Sequence, residues 1–396
     1  MKLEELLDIE NKYCARNYIP ANVVIGKGRG VWVWDLDGKR YLDCVSAYGA
    51  VNQGHCHPKI LKSLVEQAEK LTIISRAFRS DIIGTFCREL CEVTGSRKVL
   101  LMNSGAEAVE TALKAVRKWG YAARKVPKDK AEIIVCADNF HGRTIAIIGF
   151  SSVDLYRKGF GPFTGGFVTI PFGDAEALKK AITPNTVGFL LEPIQAEGGI
   201  NVPPAGYLKD IRSICTEAGI ALMFDEIQTG FGRTGTMLAE DLEHIKADVS
   251  IVGKSLGGGF YPISAVCSRN EVLDAIGPGE HGSTFGGNPL ACAVARTSLK
   301  VIQEENMVEN ARKMGLVLKK EFENMKSRLI KAVRGTGLML GLELSEESPD
   351  LCAKLIDAGL LVNKAGKGVI RVAPPLVVSE EEAGWALERF REVLCD

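Results

Sequence analysis

A chain of 396 residues, 46% of them hydrophobic, is long enough for one large or two modest domains with a substantial core. Its 49 basic and 49 acidic side chains cancel, which leaves no electrostatic footprint for nucleic acid or an acidic membrane surface. No apolar run approaches the roughly 20 residues that span a bilayer.

The opening stretch "MKLEELLDIENK" is acidic and amphipathic, unlike a secretory signal or an Arg-rich transit peptide. The eleven cysteines are scattered without a C-x-x-C pair, which suggests reduced thiols in a reducing compartment, and so a cytoplasmic protein. Residues 31–43, "VWVWDLDGKRYLD", read as a β-hairpin around Asp37-Gly38, a dipeptide that tolerates a tight turn. "HCHP" (His55–Pro58) has a metal-like look but no second ligand cluster beside it, and it reads better as a turn; no metal is expected.

From about residue 59, helical segments alternate with short apolar strands: 98–103, 131–137, 187–193, 220–226, 249–254 and 264–268. Near-continuous apolar strands separated by helices predict an α/β fold with a mainly parallel sheet covered on both faces. A long helical pattern begins near Pro289 and runs past residue 300. The tail then reads strand 332–344, helix 350–359, strand 369–373 and helix 379–394. The expected organisation is a large domain over 53–286 and a small α+β domain over 287–396. The N-terminal segment, 1–52, should join the small domain, its hairpin being too short to stand alone.

Open α/β sheets bind ligands at the carboxyl ends of their strands. After the strand at 98–103, Ser104 and Glu107 form a capping-box pattern, and Gly105 allows close backbone approach. Such a helix start either merely caps or also holds an anion. Asp225 ends an apolar strand, so its carboxylate needs a partner: a nearby Lys or Arg, or a cationic ring nitrogen.

Lys254 ends another strand, in "GKS". A P-loop needs glycine six residues before that lysine; Asp248 stands there, and an apolar run fills the space a phosphate cradle requires. An amine in that setting can instead lose basicity and attack carbonyls. Gly257, Gly258 and Gly259 leave room for a flat molecule. An anion-binding helix start, a strand-end aspartate and a strand-end lysine together specify pyridoxal 5'-phosphate.

"LMFDEIQTGFGRTG" and "DVSIVGKSLGGGFYPISAV" resemble the signature of the class III pyridoxal-phosphate aminotransferases. With "SAYGAVNQGHCHPKI", "NFHGRT", "EPIQAEGG", "GEHGSTFGGNPL" and "VIRVAPPL", the resemblance covers essentially the whole chain and points to the bacterial ornithine aminotransferases. It implies a fold-type I transferase with a seven-stranded sheet and a homodimer with shared active sites. It also implies δ-amino transfer from L-ornithine to 2-oxoglutarate.

By the same resemblance, Lys254 would bind the cofactor and carry the proton, and Asp225 would hold the ring nitrogen protonated. Gln228 would bond the ring-hydroxyl side and Phe140 would stack on the ring. Ser104, Gly105 and Ala106 would cup the phosphate, with Thr284 reaching it from the neighbouring subunit. His141 reads as a packing or supporting residue rather than an acid or base. For substrate, Arg371 would clamp an α-carboxylate and Arg143 a distal one. Glu197 would cover Arg371 while ornithine reacts, unless the pair is a fixed salt bridge. Tyr18 and Tyr48 match positions that meet the far end of ornithine, although either could be core packing.

Three residues depart from the family's pattern: Ala196 stands where glycine is usual, with strain expected if that position needs positive φ; Arg16 lies two residues from Tyr18; Ser255 follows the lysine. Two other readings remain: the same fold acting on N-acetylornithine, lysine or 4-aminobutyrate, or a catalytically silent scaffold.

Overall fold

The computed structural model describes residues 3–346 and 348–395; residues 1–2 and 396, the outer ends of the expected first and last segments, lie outside the described residues. The N-terminal hairpin gains a strand. β1 (Ile25–Arg29) pairs antiparallel with β2 (Trp32–Asp35), which pairs with β3 (Arg40–Asp43). Asp35 fixes the turn by accepting N–H bonds from Asp37 at 3.1 Å and Lys39 at 2.8 Å. β1, "IGKGR", carries no apolar alternation and is mostly exposed, so its pairing has no hydrophobic signature.

The central sheet holds β4 (Lys98–Met102), β5 (Glu132–Cys136), β6 (Phe167–Ile170), β7 (Thr186–Leu191), β8 (Ala221–Asp225), β9 (Val249–Val252) and β10 (Ser264–Ser268). Its order is β4-β10-β9-β8-β7-β5-β6. Only β10 runs against its neighbours β4 and β9. The expected strands agree to within two residues, and β6 is the additional one. Successive side chains point to opposite faces. Leu190 and Met223 therefore pack under the helix Gly105–Ala123, while Phe189, Leu222 and Phe224 pack against Ile211 and Cys215 of the helix Tyr207–Ala218. Burial on both faces is what their continuous apolar sequence requires.

A third sheet contains β11 (Ile330–Thr336), β12 (Met339–Leu344), β14 (Asn363–Lys364) and β15 (Val369–Val372), in the order β11-β12-β15-β14. The single strand expected at 332–344 is thus a hairpin. Its turn uses Gly337 at φ +56, and a Cβ there would lie 2.3 Å from the Thr234 carbonyl carbon. Leu338 also donates its N–H to the Arg233 carbonyl at 3.0 Å. Tertiary contact, not strand propensity, therefore sets the break. The long helical pattern likewise divides, into Pro289–Glu304 and Met307–Glu323, at Asn306 with φ +52.

β13 (Leu360–Leu361) pairs parallel with β3, Leu360 opposite Leu42, and so ties the N-terminal hairpin to the C-terminal part. The helix Pro289–Glu304 packs on the helices Pro58–Lys70 and Ile83–Thr94 and also on Met307–Glu323. All eleven cysteines are free. Among the described residues, no helix is long and apolar enough to cross a membrane.

Candidate active site

Three features meet at the carboxyl edge of the central sheet. β8 delivers Asp225, the segment after β9 delivers Lys254, and the helix Gly105–Ala123 begins just beyond β4. Gly105, Ala106, Phe140, His141, Glu192, Asp225, Gln228 and Lys254 line a cavity of about 200 Å³ between them. Ser104 caps the helix reciprocally with Glu107, as the capping-box pattern anticipates. That cap leaves the first N–H groups of the helix at Gly105 and Ala106 available at the cavity wall.

Lys254 lies two residues past β9 and opens a tight turn, 254–257, with φ +43. A left-handed conformation costs a non-glycine residue about 1–2 kcal/mol, so the fold holds this lysine in place against local preference. Its amine has no hydrogen-bond or ion-pair partner among the described residues. Burial and the Arg371 charge lower its pKa below the ordinary lysine value, against the pull of Glu197, Asp225 and Glu192. The glycines that follow do not line the cavity. Gly258 and Gly259 take positive φ and press against Ile60 and Val51, where a Cβ would come within 2.8 and 2.6 Å. They seat the turn rather than admit a ligand.

Asp225 is buried, and both its oxygens are engaged. Oδ2 faces His141 Nδ1 at 2.7 Å, and Oδ1 accepts the Ile227 N–H at 3.0 Å. Burial opposes protonation of His141, but the hydrogen bond and charge of Asp225, with Glu192, outweigh it and raise its pKa. His141 Nε2 is buried without a partner. Glu192 completes this group. It accepts N–H bonds from Phe140 at 3.0 Å and Ala196 at 3.2 Å, and burial lifts its pKa to about 7. Glu192 was not singled out from sequence, although it follows β7 as Asp225 ends β8, and the same strand-end argument reaches it.

A second set of groups surrounds Arg371. This residue sits in β15 opposite Gly341 and Asn363 and is 1% exposed. Its Nη2 donates to Glu197 Oε1 at 2.7 Å, while Nε and Nη1 are buried without partners. Gln228 Nε2 also reaches Glu197 Oε1, at 3.4 Å. Tyr48 lies under the Arg371 guanidinium, 5.0 Å from ring centroid to Cζ. Ser46, Ala47 and Tyr48 all have positive φ, a left-handed turn of three non-glycine residues that presents this ring. Nothing in "SAYG" alone signals it.

The remaining expected residues lie outside the lining of the Lys254 cavity. Arg143 has no carboxylate partner among the described residues; it lies 3.8 Å above the Tyr156 ring and 5.5 Å from that of Phe140. With Tyr18 it lines an adjoining cavity of about 300 Å³. Tyr18 is 76% exposed and is not brought to Tyr48. Arg16 shares a separate surface cavity with Tyr18. Thr284 is exposed on the loop before the helix Pro289–Glu304 and does not line the Lys254 cavity of its own chain. Ala196 is buried but is not among the residues with positive φ, so the strain weighed for it does not arise. His55 and His57 of "HCHP" turn to different carboxylates, Asp43 at 2.8 Å and Glu305 at 3.2 Å.

The unpartnered buried lysine, the buried carboxylate behind a ring-sized space and the free helix N-terminus fit an aldehyde, a ring nitrogen and a phosphate. Comparison with known proteins agrees. The family model described as aminotransferase class-III matches residues 13–394. An ornithine aminotransferase of Bordetella pertussis is 54% identical over 389 residues, covering 98% of this chain and 94% of the relative. The crystal structure of the ornithine aminotransferase from Toxoplasma gondii superposes with a TM-score of 0.97 at 42% identity, covering 99% and 95% of the two chains. An acetylornithine aminotransferase from Elizabethkingia anophelis superposes with a TM-score of 0.91 at 41% identity, covering 100% and 99%.

Proposed function

The chain belongs to the class III aminotransferase family, and we propose that it acts as an ornithine δ-aminotransferase. It moves the δ-amino group of L-ornithine to 2-oxoglutarate, giving glutamate and glutamate 5-semialdehyde, which closes to pyrroline-5-carboxylate. Its cofactor is pyridoxal 5'-phosphate. That group supplies an aldehyde to receive amines and a pyridinium ring to withdraw electrons from a deprotonated carbon.

The protein's share of the chemistry is read as follows. Lys254, desolvated and unpaired, would offer an amine that gives up its proton more readily than an ordinary lysine, to meet the aldehyde and to carry the proton taken from substrate carbon. Asp225, oriented by His141 and the Ile227 N–H, would set its carboxylate where the ring nitrogen would lie, an arrangement that favours a protonated ring. Phe140 would cover one ring face, and Gln228 would stand on the ring-hydroxyl side. Ser104, Gly105 and Ala106 would hold the phosphate at the helix start.

The observation that carries the substrate assignment is the Glu197–Arg371 pair, which meets the lining of this cavity at Gln228. Leaving one partner of a buried pair alone costs about 3–5 kcal/mol, so Arg371 needs a carboxylate in both halves of the reaction. Ornithine leads with an amine and brings none to that point, so Glu197 stays. Glutamate and 2-oxoglutarate bring their own, for which Nε and Nη1 stand ready, and Glu197 leaves. Arg143 takes their distal carboxylate. Tyr48 and Tyr18 meet the far end of ornithine.

We further read residues 1–52 and 287–396 as a small domain and 53–286 as the large one. The active form is taken to be a cytoplasmic homodimer in which Thr284 completes the neighbour's phosphate site.

The deciding experiment mixes the yellow holoenzyme separately with L-ornithine, N-acetylornithine, L-lysine and 4-aminobutyrate and follows loss of the cofactor's absorbance, with chemical trapping of pyrroline-5-carboxylate. Fast conversion by ornithine with trapped pyrroline is expected. Faster conversion by N-acetylornithine would move the assignment to the activity named for the Elizabethkingia structure.

A further inference from the structure

The loop that carries Thr284 is fastened along one face of the helix Gly105–Ala123, the helix whose start lines the Lys254 cavity of the same chain. Asn103, just before the helix, donates from Nδ2 to Ser283 Oγ at 2.8 Å. Further along, Thr111 Oγ1 lies 2.8 Å from His281 Nε2, and Lys114 Nζ lies 2.8 Å from His281 Nδ1. Beyond them, Lys118 pairs with Glu280. Positions 111, 114 and 118 are three or four residues apart and form a single stripe, with Asn103 just ahead of the helix start.

The proton positions follow from the chemistry. Thr111 donates its hydroxyl hydrogen to the Glu107 carbonyl at 2.7 Å and so must accept from His281 Nε2–H. Lys114 can only donate, so His281 Nδ1 must carry a lone pair. The ring is therefore neutral, with its hydrogen on Nε2. Burial and the Lys114 charge lower its pKa, in keeping with that state.

We propose that His281 is a positioning residue: clamped between Thr111 and Lys114, it fixes the Thr284 loop for the partner's phosphate. Its floor is the helix that holds the phosphate in its own subunit, so one helix braces both sites. The inference rests on the reading of Thr284 as a residue that acts across the dimer.

The test measures cofactor release from the holoenzyme into buffer containing a scavenger. His281→Ala should speed release about tenfold and Lys114→Ala several-fold, with kcat at saturating cofactor unchanged. His281→Gln, which keeps the donor to Thr111, should recover part of the loss. Heterodimers then assign the direction. One protomer carries Lys254→Ala, so covalent cofactor absorbance reports only the intact site. His281→Ala placed on the Lys254→Ala protomer should speed release; placed on the intact protomer, it should not. No change in either arrangement, or equal change in both, overturns the clamp. Thr284→Ala in the same two arrangements is the control. If it fails to act across the dimer, the reading of Thr284 falls; if it acts there and His281→Ala does not, only the clamp falls.

Discussion

Two arginines in this protein are each 1% exposed, and they are buried in opposite ways. Arg371, joined to the cavity lining through Glu197 and Gln228, has one ionic partner, Glu197, and two unspent donors. Arg233, in the layer behind, has no carboxylate within ion-pair distance among the described residues. Its Nη1 instead donates to the carbonyls of Leu338 at 2.7 Å and Pro374 at 2.6 Å, and its Nη2 to Asn52 Oδ1 at 2.6 Å. Burial pushes its pKa down to about 9, with Arg371 adding to the effect and Asp43 opposing it. A buried cation whose two Nη groups are held by neutral acceptors, with only Nε left over, joins parts of a scaffold. One that keeps donors in reserve is a receptor.

Arg233 should give the largest stability effect. Replacing it by methionine leaves two carbonyls and the Asn52 amide oxygen without a donor, at roughly 1–3 kcal/mol for each buried group. Relief of the buried charge offsets part of that. A net loss of about 3–5 kcal/mol in urea unfolding is expected, with both half-reactions falling together in whatever protein remains folded. An Arg233→Met variant as stable as the wild type would dissolve the distinction.

Arg371→Gln should act the other way. The glutamate half-reaction, followed by rapid mixing, should lose about 100-fold in kcat/KM, the value of a charge-assisted bidentate contact of about 2–3 kcal/mol. Unfolding should change by less than about 1 kcal/mol, because Glu197 is freed toward solvent rather than stranded. Glu197→Ala sharpens the contrast further. With Arg371 uncovered, ornithine can dock its own carboxylate there and present the wrong amine. About tenfold loss in the ornithine half-reaction, with the glutamate half-reaction unchanged or faster, is expected. Equal losses in both would make the pair a fixed strut.

The same division governs what the sequence made legible. Strands of the central sheet are continuous apolar runs, so six of them could be located from hydrophobicity, and the chemistry at Asp225 and Lys254 followed from their strand-end positions. β6, four residues long beside two glycines, carried too little pattern. Residues 332–344 read as one strand because the reason for their turn, the approach of Gly337 to Thr234, lies about a hundred residues away. Glu192 was within reach of the strand-end argument. The left-handed turn that presents Tyr48 and the carbonyl cage of Arg233 were not, because each depends on partners distant in sequence. Resemblance supplied the roles of Arg143, Glu197 and Arg371, for which local pattern offers no physical warrant.

The layer behind the wall also predicts a pH effect, through Glu226. This residue is fully buried and accepts N–H bonds from Ala239 at 3.0 Å and Glu240 at 2.9 Å. Burial, helped by the Glu240 charge, lifts its pKa from 4.5 to about 7, while its hydrogen bonds to Thr229, Ala239 and Glu240 pull against the rise. Glu240 has cations for its own charge, Arg269 at 2.5 Å and Lys246 at 3.3 Å; Glu226 has none among the described residues. A saturated layer thus keeps Glu226 neutral in acid. With the folded pKa above the unfolded one, the native state binds more protons between those values. The contribution is complete below about 4.5 and is lost as pH rises to about 7. Glu226→Gln cannot titrate, so wild-type stability relative to this variant should fall across that window by roughly 3 kcal/mol and level off above it. Urea midpoints at about pH 5, 6 and 8 measure the slope. A flat difference would place a charged carboxylate in this layer and erase its contrast with the wall.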